Sequence, residues 1–195
     1  MEREDRDRVC PLHVRRRQGR VMALYAFEGF RPSVASDAYV HPQAVLIGAV
    51  TIGSRCFIGA GAVIRADFAD IQVGDGTCIQ ENCVIHVSPG QGACLHERVI
   101  VGHGAVLHDV TIQAGAFVGM GAVLLQGVLL EKEAMVAAGS VVPSGFVVPA
   151  GKLASGNPAK VLKDLSDSYR EFIRMGQTLY EDLSGRYRIG LRRID

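Results

Sequence analysis

The sequence predicts an all-β solenoid closed by a C-terminal α-helix. Three observations carry this: aliphatic residues recur every six positions, small residues hold a fixed place within each six, and the C-terminal residues switch to helical spacing. Counted in sixes, the aliphatic positions form three runs. They are Val40, Leu46, Ile52, Ile58 and Ile64; then Val73, Ile79 and Ile85; then Ile100, Val106, Ile112, Val118, Leu124, Leu130, Val136, Val142 and Val148. A period of six matches neither the 3.6 of a helix nor the 2 of a free-standing strand. It fits coils of three hexapeptides, each a short strand and a turn, with the aliphatic side chain pointing inward. Four residues after most of these positions comes a small side chain that fits a tight corner: Ala44, Cys56, Ala62, Thr77, Cys83, Ala116, Ala122, Ala134 and Ser140. Glycine often follows the aliphatic position directly, as at Gly53, Gly59, Gly74 and Gly119, and permits backbone angles that other residues resist.

At the N-terminus, residues 1–21 hold seven arginines and four acidic residues with almost no apolar periodicity, which predicts a flexible charged tail. That stretch has no apolar h-region for a signal peptide, and its acids argue against a transit peptide. Residues 22–160 are the solenoid. "GNPAK" at Gly156 to Lys160 breaks it, and residues 161–195 are the helical segment, expected to pack back along the prism. Tyr169, Phe172, Ile173, Leu179, Tyr180 and Leu183 recur there at helical spacing, with Ser168 and Glu171 as a capping box.

The beat slips by three residues twice, between Ile64 and Val73 and between Ile85 and Ile100. If each slip is a three-residue bulge, Ile64, Ile85 and Val106 share one face in successive coils. Val73 is then on the next face, and Ile79 and Ile100 share the remaining one. If a longer loop replaces a hexapeptide at the second slip, the assignment shifts. On the bulge reading His86 and His108 stack one coil apart, about 4.8 Å along the axis, with Arg65 and Asp67 one coil below. His103 lies on a different face, beside Gln80, Glu81 and Asn82. Faces of a triangular prism point about 120° apart, so a threefold oligomer brings the three imidazoles together where one chain does not. The expectation is a homotrimer in which His86 and His108 of one chain meet His103 of the next. Three neutral imidazoles with an open fourth position suit catalytic zinc, and Fe²⁺ and Co²⁺ accept the same ligands. His13, His41 and His96 read as ordinary non-ligand positions.

The constellation resembles the γ-class carbonic anhydrases within the hexapeptide-repeat family, whose fold is a left-handed parallel β-helix. "RADF" is similar to that family's Arg-x-Asp, "IQENCVIH" to its Gln-Asp-Asn segment and first histidine ligand, and "GHGAVLH" to its His-x4-His. The resemblance implies that His86, His103 and His108 are metal ligands and that Gln80 bonds the metal-bound hydroxide. It implies that Arg65 and Asp67 organise the interface and attract an anionic substrate or product, and that Tyr180 lies near the site. Glu81 stands where the family usually has Asp, Phe68 where the prototype enzyme has an acid, and Thr178 where an Asn often accompanies the tyrosine. The loop "VSPGQGACLHER" lacks the prototype's acidic shuttle insertion, leaving Glu97 or His96 as substitutes. "HVSPGQG", "VGMGAVLLQG", "SGNPAK" and "GQTLYEDL" resemble more closely the branch that includes the PaaY-type phenylacetate-degradation and CaiE-type carnitine-operon proteins.

The resemblance thus implies a lyase-type metalloenzyme that hydrates CO₂ to bicarbonate. Acyl-CoA thioester hydrolysis at the same metal, metal-free acyl transfer and a non-catalytic trimeric scaffold are the alternatives. A net charge of +1 gives no electrostatic case for nucleic acid or an anionic membrane. No apolar run approaches the ~20 residues that span a bilayer. Five cysteines without a C-x-x-C pair suit a reducing, cytoplasmic setting rather than a disulfide framework.

Overall fold

The computed structural model describes residues 22–194, so the tail expected over residues 1–21 lies outside the described residues. Short strands, most of two or three residues, wind into a parallel β-helix. One face is an eight-stranded sheet. Tyr39–Val40, Phe57–Ile58, Cys78–Ile79, Ile100–Val101, Phe117–Val118, Met135–Val136 and Lys152–Gly156 stack in parallel there, and Ala159–Asp164 closes it antiparallel. This is the helix face. The other two faces merge into a twelve-stranded sheet, because Val45–Ile52 and Val63–Val73 run unbroken across the corner between them. On one of these, the histidine face, residues 63–65 pair with Val84–His86, which pair with Val106–His108. The third face carries residues 71–73, Ala93–Leu95 and Thr111–Ile112 in register.

Leu46, Ile64, Ile85, Leu107 and Leu124 fill the prism on the histidine face without solvent exposure, and Ala44, Cys56, Ala62, Cys83, Ala116 and Ala122 fill the corners. Each buried aliphatic contributes about 1.5–3 kcal/mol relative to leaving it in water.

Two of the expected inward residues do not point inward. Ile100 pairs with Cys78 and Val106 with Val84, so the interior positions are their neighbours Val101 and Leu107. Ile100 is buried instead beneath the C-terminal helix, and Val106 is 38% exposed on the outer surface. The reason is a bulge one residue longer than the beat suggests. Ile85 to Leu95 spans ten residues, and the sharp corner at His108–Val110 shortens the later step, from Leu107 to Ile112, to five. The face assignments survive because the second slip is a bulge: Ala93–Leu95, expected in the loop, is a strand that supplies the third-face rung.

The helix runs Asp167–Gly190. Its cap is Ser166, whose hydroxyl accepts from the Tyr169 N–H at 3.4 Å, not the expected Ser168. Ser166 is the last extended residue, and Ser168 already lies in the first turn. Ile173 packs on Met135, Leu153 and Leu165, while Tyr180, Leu183 and Tyr187 pack on Tyr39, Phe57, Cys78 and Ile100. Polar groups complete the docking: Gln177 Nε2 donates to the carbonyls of Arg98 (2.7 Å) and Gly115 (3.4 Å), and Ser184 Oγ to that of Cys56 (3.0 Å). Because the helix seats on this flank, Phe172 and Leu179, expected on its packed side, stay exposed together with Met175. No helix among the described residues is long and apolar enough to cross a membrane.

Candidate metal centre

The histidine face presents two outward columns. One is aliphatic, Val45, Val63, Val84, Val106, Val123 and Val141 in continuous register. Beside it stand Arg65, His86 and His108. Strand pairing sets His108 directly on His86, and the rings meet edge to face with His86 Nδ1 3.1 Å from His108 Nε2.

Each ring is held from behind. His86 Nε2 lies 2.9 Å from Asp67 Oδ1, and Asp67 Oδ2 is bound by the Arg65 guanidinium. His108 Nδ1 lies 3.0 Å from Asp109 Oδ2, while Asp109 Oδ1 accepts from the Ser88 N–H at 2.6 Å. Burial pushes the Asp67 carboxyl up, but bonds from His86 and Arg65 outweigh it and hold the group below the usual carboxylate range. Asp109 is held down in the same way, with burial outweighed by Ser88 and His108. Both carboxylates are therefore acceptors only, and the ring nitrogens facing them carry the hydrogens. That leaves two lone pairs, on His86 Nδ1 and His108 Nε2, pointed at one another.

Two lone pairs at that separation repel, and a cation between them would relieve the repulsion. A divalent metal fits there: for bonds of ~2.0–2.1 Å at a tetrahedral angle, neighbouring donor nitrogens stand about 3.3–3.4 Å apart. The donor set also matches the habit of ligating histidines, whose second nitrogen is usually bonded to a carboxylate. These residues fit a divalent ion.

His103 is elsewhere. It occupies the corner between the helix and histidine faces, one coil above Glu81, rather than a flat face as the spacing suggested. Its Nδ1 lies 2.7 Å from Glu81 Oε2, and its backbone N–H donates to Gln80 Oε1 at 3.0 Å. With that oxygen engaged, the group Gln80 offers to a ligand is its amide N–H₂, a donor. Tyr180 packs against Phe57 on the helix; burial, with the charges of Cys78 and Glu81 adding, pushes its hydroxyl up to about 12. The expected residues thus form two clusters on one chain: Arg65, Asp67, His86 and His108 on the face, and Gln80, Glu81 and His103 at the corner with Tyr180 nearby. Among the described residues, no three His, Cys, Asp or Glu side chains of the single chain come together as an ion site. Two clefts, of about 450 Å³ beside the helix and 730 Å³ on the third face, lie away from both clusters.

Asp109 and Ser88 are participants that the sequence reading did not single out. The available signal was an acid directly after a candidate ligand histidine; the structure places it at a corner where the backbone turns left-handed (φ 51°).

Residues 31–66 match the bacterial transferase hexapeptide (six repeats), and residues 49–86 and 109–144 the hexapeptide repeat of succinyl-transferase. The carnitine operon protein CaiE of Proteus sp. (strain LE138) is 41% identical over 170 residues, covering 87% of this chain and 86% of that protein. CaiE of Salmonella newport (strain SL254) is 39% identical over the same span. Among solved structures, a hexapeptide transferase family protein from Anaplasma phagocytophilum superposes with a TM-score of 0.82 at 36% identity, covering 87% of this chain and 99% of its own. At that identity and coverage, the chain belongs to the hexapeptide-repeat family, with the carnitine operon protein CaiE among its relatives.

Proposed function

We propose that the chain is a metal-dependent enzyme assembled as a homotrimer, with hydration of CO₂ as the reaction its residues fit best. The observation that carries this reading is the pair of facing imidazole nitrogens on His86 and His108, each ring backed by a carboxylate.

The third ligand, His103, comes from a neighbouring chain. Two apolar surfaces flank its corner: the valine column on the histidine face, and on the helix the exposed Met175 and Leu179 with Phe172, whose ring rests edge-on against Phe117. Valine-column-to-helix contact is heterologous, and a heterologous contact between faces about 120° apart closes after three copies. The same contact explains why the histidine pair lies on an open surface in the isolated chain and the clefts lie elsewhere, since the neighbour supplies the missing wall.

A divalent ion held by three neutral imidazoles, Zn²⁺ by default and Fe²⁺ or Co²⁺ by the same ligands, supplies a water acidic enough to act as nucleophile near neutral pH. The chain's own residues do the rest. Gln80 directs a donor N–H at the oxygen being positioned, Asp67 and Asp109 hold the imidazole hydrogens away from the ion, and Arg65 offers its remaining N–H groups to an anion such as bicarbonate.

Phe68 favours a second reading, acyl-CoA thioester hydrolysis at the same centre. Its ring is 5.9 Å from that of His86 and 55% exposed, an apolar wall suited to an acyl chain. Metal-free acyl transfer, one kind of the transferase activity named for the Anaplasma relative's family, and a non-catalytic scaffold remain the alternatives to a metal enzyme. The test is to measure metal per chain and assay CO₂ hydration and thioester hydrolysis with and without chelator. Absence of metal, with activity unchanged in His103→Ala, overturns the metalloenzyme reading. Chelator-sensitive thioesterase activity without CO₂ hydration promotes the second.

A further inference from the structure

We infer that Asp109 is a positioning residue that locks the Val87–Gly92 bulge to both histidines of the pair and fixes the tautomer of His108. The inference rests on the reading of His108 as a metal ligand.

Three bonds converge on this one residue. Its backbone N–H donates to the His86 carbonyl (3.2 Å), its Oδ1 accepts from the Ser88 N–H (2.6 Å), and its Oδ2 takes the His108 Nδ1 hydrogen (3.0 Å). Its own carbonyl accepts from Gly127 N in the next coil (2.8 Å). Asp109 thereby ties both histidines to the bulge.

The backbone conformation points the same way. Six non-glycine residues among those described have positive φ: Glu28, Arg55, Asn82, Arg98, Asp109 and Glu133. Five are exposed, and Asp109 alone is buried. A non-glycine residue held in left-handed backbone costs about 1 kcal/mol or more in strain, and persists where surrounding contacts over-determine it. Glycine at this corner would remove that strain. The aspartate adds a carboxylate aimed at a ligand ring and a peptide N–H of the bulge, which glycine lacks. Without an acceptor at Nδ1, His108 redistributes its hydrogen between the two nitrogens, and the fraction with Nε2–H has no lone pair facing His86.

Asp109→Asn separates the functions. Asparagine tolerates left-handed backbone and keeps an oxygen for Ser88, but it presents N–H₂ to His108. The experiment uses the full-length protein and two readouts. In the metal-free protein, nitrogen NMR of the histidines reports the tautomer: His108 is expected as Nδ1–H in the wild type and shifted towards Nε2–H in Asp109→Asn. In a chelator competition with Zn²⁺, the variant is expected to bind about 10–100-fold more weakly. Amide exchange of Leu107 should stay slow in both variants, which shows that they fold, while that of Ser88 should remain slow in Asp109→Asn and quicken in Asp109→Gly. A wild-type tautomer together with wild-type Zn²⁺ affinity in Asp109→Asn overturns the inference. If the wild type binds no Zn²⁺, the proposed function fails, and the tautomer shift alone decides whether Asp109 positions His108.

Discussion

If the site is shared between chains, two inactive variants must rescue one another in a pattern set by the fold. His86 and His108 lie on the same strand pair, 3.1 Å apart, whereas His103 sits at another corner of the prism. Take His103→Ala and His86→Ala, each without a complete ligand set. Unfold them together, refold at equal amounts, and each interface draws its two halves at random. A whole site needs the His86/His108 half from the His103→Ala chain and the His103 half from the His86→Ala chain. That ordered draw has a chance of one half times one half, so about a quarter of the sites return in a cyclic trimer. His103→Ala mixed with His108→Ala gives the same quarter. His86→Ala mixed with His108→Ala gives none, because no chain then carries an intact pair. The readouts are metal per chain after dialysis and turnover of whichever reaction the wild type performs. Rescue in the third mixture, or none in the first two while mixed trimers are seen by native mass spectrometry, refutes the shared site.

Leu107→Ala should destabilise the chain by about 2–5 kcal/mol in urea unfolding, while Val106→Ala should cost under ~1 kcal/mol and instead weaken assembly on dilution, measured by light scattering. The reverse order would put the inward register back where the six-residue count had it. Gln177→Ala leaves the Arg98 and Gly115 carbonyls without their side-chain donor and should lower stability by about 1–3 kcal/mol, read as a drop in Tm without loss of β-signal. Burial pushes the Cys56 thiol up to about 12 and that of Cys83 up to about 11, so neither should be alkylated in the folded protein at pH 8, whereas both should react in urea. The unfolded thiols ionise near ~8.5 while the folded ones stay protonated. Stability present below that value therefore falls as pH rises towards 11–12, seen as a lower urea midpoint at pH 10 than at pH 7.5.

Most of the fold was legible because the hexapeptide repeat carries its period in the chemistry of one position. Leu46, Ile64, Leu124 and their equivalents are aliphatic, the corner residues Ala44, Cys56 and Ala62 are small, and both sets are fully buried. The shared face of the histidine pair was legible for the same reason, but the coil step that takes Arg65 to His86 takes His86 to Leu107, one short of the observed partner His108. Two things were not legible from spacing. Asp109 acts through a left-handed corner that only the folded chain forms. The bulge after His86 hid its fourth extra residue, because both sides of the affected strands are apolar: Ile100 lies under the helix and Val101 in the core, Val106 on the outer column and Leu107 inside. Alternation identifies the buried side of a strand only where the other side is polar. Ile100 loses that contrast to a helix of its own chain, and Val106 loses it on an outer surface that its own chain leaves partly open. An outward valine is repeated through six rungs beside two histidines, and the proposed trimer would cover that column. The register error and the proposed trimer thus share one cause, an outer surface whose chemistry is that of a core.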